Sequence, residues 1–255
     1  MADWEALDAE LDRWVERGRV ATFWWRDDDA TAATPALARL LALAAARGAP
    51  LALAVIQAHV DDAAVAVIAG ADEVAVLQHG HAHVNHAAPP ARKVELGAER
   101  QAPTVLAELA RSRRRLAALF GARFPPLLVP PWNRVDDAVV DGLVDAGFRG
   151  LSTFGPRRHR WPRPGLAQVN THIDIIDWHG GRGFVGADAA LGVAVDHLRA
   201  RRTGAADGDE PSGLMTHHLV HDEDCWAFVA RFVATIRDHP AGRWLDVADA
   251  FGTAP

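Results

Sequence analysis

The sequence predicts an α/β barrel of seven or eight mainly parallel strands with helices on its outside. Short apolar segments of strand length alternate with helical patterns along the whole chain, which is typical of a parallel sheet. The length of 255 residues suits one barrel, and this number of repeats favours closure over an open sheet. The unusual polar residues also follow predicted strands, and a parallel barrel gathers those strand ends on one face.

The first predicted element is an amphipathic helix within residues 1–18 that packs on the barrel. Leu7, Leu11 and Trp14 recur at helical spacing, and Gly18 is a stop signal. The chain does not open with a basic segment followed by an apolar run, so we expect no signal peptide. No apolar stretch reaches the roughly 18 residues of a membrane helix. We therefore expect a cytoplasmic protein without a membrane partner.

Short apolar runs bounded by glycine, proline or polar residues predict the strands. They are Val20–Trp25, Leu51–Gln57, Val74–Gln78, Leu127–Val129, Phe148–Phe154, Gln168–Trp178, Leu214–His218 and Trp244–Val247. Helical spacing predicts the remaining helices. They are Pro35–Arg47, Val65–Gly70, Arg92–Phe120 with a break near Pro103, Val135–Ala146, Ala187–Arg202 and Asp222–Asp238. Neither a linker nor an internal repeat separates these elements, so residues 1–255 are predicted to form one domain.

The composition narrows the class of protein. The formal net charge of −6 disfavours a nucleic-acid partner, because such proteins usually carry a basic surplus. Hydrophobic residues make up 49% of the chain and charged residues 24%, which excludes disorder as a global description. Cys225 is the only cysteine, so it cannot form an internal disulfide, and we interpret it as a small buried hydrophobic residue.

Histidines are concentrated directly after the predicted strand that ends at Gln78. Four of the thirteen histidines lie within eight positions, at His79, His81, His83 and His86. Imidazoles bind divalent metals through a neutral ring nitrogen, and two ligands four residues apart can converge on one turn. The sequence therefore predicts a metal site here. The alternative is a polar loop whose histidines only form caps and contact solvent.

Three adjacent carboxylates follow another apolar strand. Arg26 is followed by Asp27, Asp28 and Asp29. Adjacent carboxylates repel one another, so this arrangement costs stability unless a cation offsets the charge. If one carboxylate binds a metal and another acts as a general base, two of the three carboxylates have a role. The alternative is a helix cap and a solvated turn before the helix that begins at Pro35.

Polar residues also follow two later strands. His217 and His218 end a strand, where a histidine is a candidate acid or base because its pKa lies near working pH. A satisfied structural histidine is the alternative. A second cluster has residue types that orient a histidine or a ligand, namely His172, Asp174, Asp177 and Trp178. The sequence has no glycine-rich phosphate loop, Walker motif or nucleophile elbow.

The order of these segments resembles that of the polysaccharide deacetylases, which are carbohydrate esterase family four and carry the nodulation-deacetylase homology domain. The segments that carry the resemblance are Arg26–Ala30, His79–His83, Val129–Asn133, Asp174–Trp178 and Leu214–His217. They span most of the chain. Each motif is weak alone, whereas five in this order are fairly specific.

The resemblance implies a distorted (β/α) barrel with a metal held by one aspartate and two histidines. On the family's pattern the general base falls on Asp28 and the general acid on His217. The ligands fall on Asp29, His79 and His83. A shift by one residue would bring Asp27 into the set.

The sequence also departs from the family's pattern. Val129 stands where the family has an arginine that pairs with the catalytic aspartate, and Arg26 or Arg134 are the candidates to replace that charge. Asn133 and Ala30 stand where the family has glycine. These departures indicate a divergent branch, and they bear on the polymer substrate more than on the metal.

The expected activity is metal-dependent removal of an acetyl group from an N-acetylated sugar or polysaccharide. The metal activates a water, Asp28 takes its proton, and His217 protonates the departing amine. Asp174 or Asp177 would orient His217. The residues expected to bind or orient the substrate are Trp132, Asn133, Arg134, Asp174, Asp177 and Trp178.

Zn²⁺ fits the expected ligands best, and Co²⁺, Ni²⁺ or Mn²⁺ fit nearly as well. One alternative function is hydrolysis of a non-sugar linear or cyclic C–N amide bond on the same barrel. A second is a metal-binding or carbohydrate-binding protein without turnover. The expected partner is an N-acetylated carbohydrate or a small amide, and the sequence leaves the oligomeric state open.

Overall fold

A computed structural model describes residues 3–252, so Met1 and Ala2 of the predicted N-terminal segment lie outside the described residues. The strands are β1 (Ala21–Ala30), β2 (Leu51–Val55), β3 (Val74–His79), β4 (Leu127–Val129), β5 (Gly150–Leu151), β6 (Ala167–Gln168), β7 (Ile173–Asp174), β8 (Ser212–Thr216) and β9 (Gly242–Trp244). The helices are α1 (Trp4–Val15), α2 (Pro35–Arg47), α3 (Asp62–Ala69), α4 (Ala102–Phe120), α5 (Asp137–Gly142), α6 (Ala187–Thr203), α7 (Glu223–Asp238) and α8 (Val247–Phe251).

Eight strands form one sheet in the order β6-β5-β4-β3-β2-β1-β8-β7, and β9 pairs with the start of β1. Every pairing between these strands is parallel. The sheet curls and the helices surround it, so the predicted α/β class with parallel strands is confirmed. The carboxyl ends of β1, β3, β4 and β8 consequently lie at one end of the barrel.

The sheet is closed by one stretch of chain that bonds to both of its sides. Residues 167–168 pair with β5, whereas residues 173–174 pair with β8. Between these pairings, Thr171 donates its backbone N–H to the carbonyl of Thr153, and His172 donates to the carbonyl of Gly213 at 2.8 Å. Because one stretch serves as two short strands, the barrel is distorted, as the family resemblance implied.

The helices cover the sheet with their apolar faces. In α1, Leu7, Leu11 and Trp14 are fully buried, and the buried carboxylate of Glu10 forms an ion pair with Arg202 of α6 at 2.6 Å. Cys225 of α7 is buried, and burial raises the pKa of its thiol to about 12, which is consistent with a hydrophobic role. Among residues 3–252 the structure shows no helix long and apolar enough to cross a membrane.

The strand predicted at Phe148–Phe154 is shorter in the structure, the one at Gln168–Trp178 is split into β6 and β7, and two further predicted elements also differ. The expected break near Pro103 is absent: α4 begins at Ala102 and runs unbroken, because proline in the first helical turn lacks only an N–H that has no partner there. Residues 92–101 form a loop rather than helix. The last predicted strand, Trp244–Val247, ends at Trp244, since the carboxylate of Asp246 caps α8 by accepting the N–H of Asp249.

A buried polar cluster lies where the closing stretch meets α6 and β8. Nε2 of His172 faces the carboxylate of Glu210 at 3.5 Å, and the His172 ring stacks on that of His197 at 3.6 Å. Nδ1 of His172 accepts the backbone N–H of Gly213 at 3.0 Å, so Nε2 carries the proton of the neutral ring. That nitrogen then has no lone pair for a metal, and we interpret the cluster as structural.

This cluster predicts a loss of stability in acid. Burial, together with the charges of His172 and Arg201, lowers the pKa of His197 to about 2. The unfolded chain binds a proton at this histidine below its usual pKa of about 6.5 while the folded protein does not, so stability falls as the pH falls through that range. At pH 4.5 the neutral His197 lowers the free energy of unfolding by about 3 kcal/mol relative to its value above pH 6.5.

The test compares urea unfolding of the wild type and His197→Asn at pH 7 and pH 4.5. We expect a smaller loss of unfolding free energy between the two pH values in the variant, whatever its stability at pH 7. An equal loss in both proteins would contradict the assignment.

Candidate active site

The acidic triplet lies at the end of β1, where the strand departs from regular pairing. Asp27 pairs with Leu53 of β2, but the next pair joins Ala30 to Val55, so β1 contains one extra residue. Asp29 within this bulge has a left-handed φ of 71°. A bulge redirects side chains at a strand end. As a result, the three adjacent carboxylates contact three different sets of partners.

Asp29 meets the two histidines that the resemblance identified as metal ligands. Its Oδ1 lies 3.1 Å from Nε2 of His79 and 3.4 Å from Nε2 of His83. The two imidazole centroids are 5.2 Å apart. His79 is buried, whereas Asp29 and His83 retain 30% and 23% of their side-chain exposure. The three side chains therefore form a group that opens toward solvent.

The turn that carries both histidines is held by Glu95. The buried Glu95 carboxylate accepts the backbone N–H groups of His81 at 3.0 Å and Ala82 at 2.7 Å. Gly80 has a φ of 57°, and a Cβ there would overlap Oε2 of Glu95, so only glycine fits. His83 is left-handed as well, at φ 56°. This fold of the turn places His83 beside His79.

The three side chains fit a divalent metal. Nδ1 of His79 lies 3.0 Å from the carbonyl of Val129 and must donate to it, which leaves the lone pair of Nε2 facing Asp29. Oδ1 of Asp29 is buried and has no hydrogen-bond partner within residues 3–252. Burial lowers the pKa of His83 and favours the neutral ring that a metal requires. Two nitrogens and one carboxylate oxygen are a common donor set for zinc.

The electrostatics of the group also favour a cation. Burial alone would raise the pKa of Asp29, but the adjacent His79, when it is protonated, lowers that pKa, so Asp29 is ionised. Burial alone would lower the pKa of His79, but Asp29 and the charge of Asp28 raise it. Positive charge is therefore stabilised at this point, whether a proton or a metal ion supplies it.

Asp28 turns toward a buried arginine from its own strand. Nη2 of Arg26 donates to Oδ2 of Asp28 at 2.9 Å, and its Nε lies 2.9 Å from Oδ1. The same guanidinium donates to Oδ1 of Asn133 at 2.7 Å and to the hydroxyl of Ser152 at 2.7 Å. Of the two candidates for the missing charge, Arg26 is the one that contacts Asp28. Arg134 instead donates to the carbonyl of Lys93.

Asp27 turns away from the histidine pair and contacts β8. Its carboxylate accepts from the hydroxyl of Thr216 and from the ring of His218. Burial would raise the pKa of Asp27, but the charge and hydrogen bond of His218 and the Thr216 hydroxyl lower it. The buried carboxylate is therefore ionised, and both of its oxygens accept hydrogen bonds.

His217 faces the same end of the barrel as Asp29. Its ring packs edge-on against Trp178 at 4.7 Å, and Nε1 of Trp178 donates to Oδ2 of Asp174 at 2.8 Å. Nδ1 of His217 has no hydrogen-bond partner among residues 3–252. Burial raises the pKa of Asp174, and the charge of His217 opposes this shift, so the two groups interact. Asp174 thus contacts His217 through the indole rather than directly.

The remaining predicted residues have distinct positions. Trp132 has a left-handed φ of 54°, and its ring packs on His83 at 4.3 Å. Oδ1 of Asp177 accepts the backbone N–H groups of His179 and Gly180, so its carboxylate caps a turn, and the structure shows no hydrogen bond from it to His217 among residues 3–252. Trp132 is half-buried beside His83, and Trp178, which packs on His217, is 39% exposed.

Sequence reasoning missed Glu95, which lies in a polar loop without any motif around it. Its role depends on a contact across thirteen and fourteen residues with the backbone of the histidine turn. Of the other two histidines in the tract, His81 bonds to Ser112 of α4 at 2.8 Å and His86 is exposed. Neither belongs to the ligand group.

Loss of the Glu95 carboxylate is expected to weaken metal binding. In Glu95→Gln, the amide N–H₂ would face backbone N–H groups that now share one acceptor, so the turn loosens. We expect a metal affinity lower by about 10-fold to 100-fold, which is the usual effect of groups that support ligands. Competition with a chromogenic chelator measures it. Glu99→Gln, an exposed change in the same loop, is the control; equal affinities in the two variants would contradict the role of Glu95.

No protein-family profile matches the sequence, and no curated protein matches it either. Solved structures do match over most of the chain. A protein of Mycobacterium smegmatis that carries the name of a polysaccharide deacetylase is 15% identical, with 91% of this chain and 89% of that chain covered and a TM-score of 0.64. The chitin deacetylase of Colletotrichum lindemuthianum is 14% identical, with 93% and 90% covered and a TM-score of 0.59.

A family 4 carbohydrate esterase of Streptomyces lividans, solved with acetate, is also similar. It is 14% identical, with 93% of this chain and 96% of that chain covered and a TM-score of 0.56. These likenesses confirm, for the fold, the resemblance that the five motifs indicated. The chain shares the distorted barrel fold of these solved structures.

Proposed function

We propose that this protein is a metal-dependent deacetylase that hydrolyses the acetamide of an N-acetylated sugar or polysaccharide. The observation that carries the proposal is the placement of a metal-ligand group between a carboxylate and a histidine. Asp29, His79 and His83 form the group, Asp28 is the adjacent carboxylate, and His217 faces the same end. Structures with this fold include a named chitin deacetylase and a carbohydrate esterase, which supports a carbohydrate substrate.

Asp29, His79 and His83 would hold the metal, for which Zn²⁺ is the first candidate and Co²⁺, Ni²⁺ and Mn²⁺ are others. When bound, a divalent metal supplies Lewis-acid activation of a water and of the acetyl carbonyl. The chain supplies the remaining groups. Trp132 and Trp178 give flat apolar surfaces on which a sugar ring can pack, and both remain partly exposed.

Asp28 is the proposed general base. The guanidinium of Arg26 contacts both oxygens of the Asp28 carboxylate. Asn133 and Ser152 accept hydrogen bonds from the same guanidinium and hold it in place. This arrangement fixes the direction in which the carboxylate accepts a proton from the attacking water. The positive charge of Arg26 also compensates the negative charge of the neighbouring carboxylates. Arg26 would thereby take the role of the arginine that the polysaccharide deacetylases have at the position of Val129.

His217 is the proposed general acid. An amine is a poor leaving group, so the C–N bond breaks only when the nitrogen receives a proton. Trp178 packs against the ring and Nδ1 is buried without a partner within the described residues, but His217 as a whole is only half-buried, so the ring is held and still reaches solvent. Proton transfer from His217 to the nitrogen completes release of the amine.

Metal content tests the ligand assignment. Protein purified without chelator is expected to contain near-stoichiometric divalent metal, measured by elemental analysis. His79→Ala and His83→Ala should lose most of it, since each removes one ligand of three. His86→Ala is the matched control, because this exposed histidine of the same tract lies outside the ligand group. Unchanged metal in both ligand variants would refute the assignment.

The activity itself is tested by product analysis of the metal-loaded protein with N-acetylated sugars and with small linear and cyclic amides. Release of acetate from the sugars supports the proposal. Ammonia or a small amine from the amides alone would favour hydrolysis of a non-sugar C–N bond. Binding of metal and sugar without any product would favour a non-catalytic binding protein.

A further inference from the structure

The buried carboxylate of Asp27 contacts the two residues on either side of His217. The hydroxyl of Thr216 donates to Oδ2 of Asp27 at 2.6 Å, and the backbone N–H of His218 donates to the same oxygen at 3.0 Å. Nδ1 of the His218 ring donates to Oδ1 at 2.5 Å. One carboxylate therefore holds the residue before His217 and the residue after it.

These contacts follow from the position of β1 beside β8. Asp27 and Thr216 are partners in the parallel register, so the carboxylate lies where β8 ends and the chain turns toward His218. Trp25 also contacts this group. Its Nε1 donates to the Thr216 hydroxyl at 2.9 Å, so the hydroxyl proton is directed toward Asp27. Asp27 and Thr216 are fully buried, and His218 is 1% exposed.

His217 lacks such support of its own. It leaves the strand with φ −140° and ψ 86°, outside regular strand geometry. Its Nδ1 makes no hydrogen bond within residues 3–252, and its described ring contact is the edge-on packing with Trp178. The direction of its side chain therefore depends on how firmly the backbone is held at Thr216 and His218.

We propose that Asp27 is the positioning residue for His217, which it aims at the substrate by holding Thr216 and His218. The inference rests on the proposed function, in which His217 protonates the leaving amine. The three aspartates of the triplet then have separate roles, since Asp27 positions the acid, Asp28 accepts a proton and Asp29 binds the metal. A buried charge costs free energy unless it is fully hydrogen-bonded, and these contacts meet that requirement.

The test uses Asp27→Asn, which keeps the size of the side chain, and the pair Thr216→Val and Thr216→Ser. Thr216→Val removes the hydroxyl with little change of shape, whereas Thr216→Ser keeps it. We expect Asp27→Asn and Thr216→Val to lower kcat on an acetamide by about 10-fold to 100-fold, which is at most the lower end of the usual contribution of acid–base catalysis. KM, metal content and hydrolysis of an activated acetyl ester should change little, and Thr216→Ser should resemble the wild type.

A double-mutant cycle shows whether the effect passes through His217. In a His217→Ala background, Asp27→Asn should cause no further loss on the acetamide, because the group that it positions is gone. Fully additive losses, or equal losses on acetamide and ester, would overturn the inference. A loss in His218→Gln that persists without His217 would instead assign the acid to His218.

A second readout does not depend on activity. In protein with ¹³C-labelled histidine, the His217 ring signal is expected to shift and broaden in Asp27→Asn and Thr216→Val but not in Thr216→Ser. An unchanged His217 signal in both variants overturns the inference even if the protein is an active deacetylase. If the wild type hydrolyses no acetamide, the proposed function fails, and the NMR result still decides whether Asp27 positions His217.

Discussion

Asp28→Asn is expected to retain the metal and lose acetamide hydrolysis by about 10²-fold to 10⁴-fold, the usual contribution of a general base. The amide cannot accept the water's proton, but it keeps the size of the side chain and an oxygen for Arg26. Asp28 lies outside the group of Asp29, His79 and His83, so metal content should not change. Steady-state rates and elemental analysis of the same preparation measure both quantities.

Asp29→Asn is the matched comparison, one residue away. It removes the negative charge of the carboxylate whose Oδ1 lies within 3.4 Å of both histidines, so metal affinity and activity should fall together. If instead Asp28→Asn lost the metal and Asp27→Asn alone abolished proton transfer, the roles would be shifted by one residue. Retention of full activity by Asp28→Asn would exclude it as the base.

His217→Ala is expected to lower the acetamide rate by about 10²-fold or more while metal content stays unchanged. The loss on an activated acetyl ester should be much smaller, because its leaving group departs without a proton. Rates on both substrates, measured on one preparation, give the ratio that defines the effect. Equal losses on amide and ester would mean that His217 does not protonate the leaving group.

His159→Ala is the control for that experiment, since His159 is an exposed histidine on a loop after β5. The neighbouring His218 is a poorer control, because its ring turns toward Asp27. Its ring holds the buried Asp27, so His218→Ala leaves that carboxylate without a partner. We expect His218→Ala to lose stability as well as activity, which urea unfolding would detect.

Much of the fold, and the proximity of Asp29, His79 and His83, was predictable because both depend on local patterns. Apolar runs of strand length and helices closed by glycine mark most elements within a few residues, and α2 and β4 match their predicted bounds. The position of Asp29, His79 and His83 after two strands also implied that they meet, since the carboxyl ends of parallel strands share one edge. Pro103 was misinterpreted because proline both breaks helices and begins them.

The roles of the individual aspartates were not predictable in the same way. Asp27, Asp28 and Asp29 are chemically identical neighbours, and strand alternation alone would place the outer two on one face. The bulge in β1 separates them, and its effect depends on where β2 and β8 lie beside the strand. Arg26 and Arg134 were equal candidates in the sequence, and only packing shows which guanidinium reaches Asp28.

The sequence by itself determined the barrel of parallel strands, the strand ends that carry polar residues, and the donor types of a metal site. These features follow from hydrophobic periodicity and from the chemistry of the side chains. The tertiary structure decided that Glu95 holds the histidine turn, that Asp177 caps a turn, and that Asp27 supports His217 through Thr216 and His218. Each of these depends on hydrogen bonds between segments far apart in the chain or on a backbone turn, and no local pattern of residues encodes their geometry.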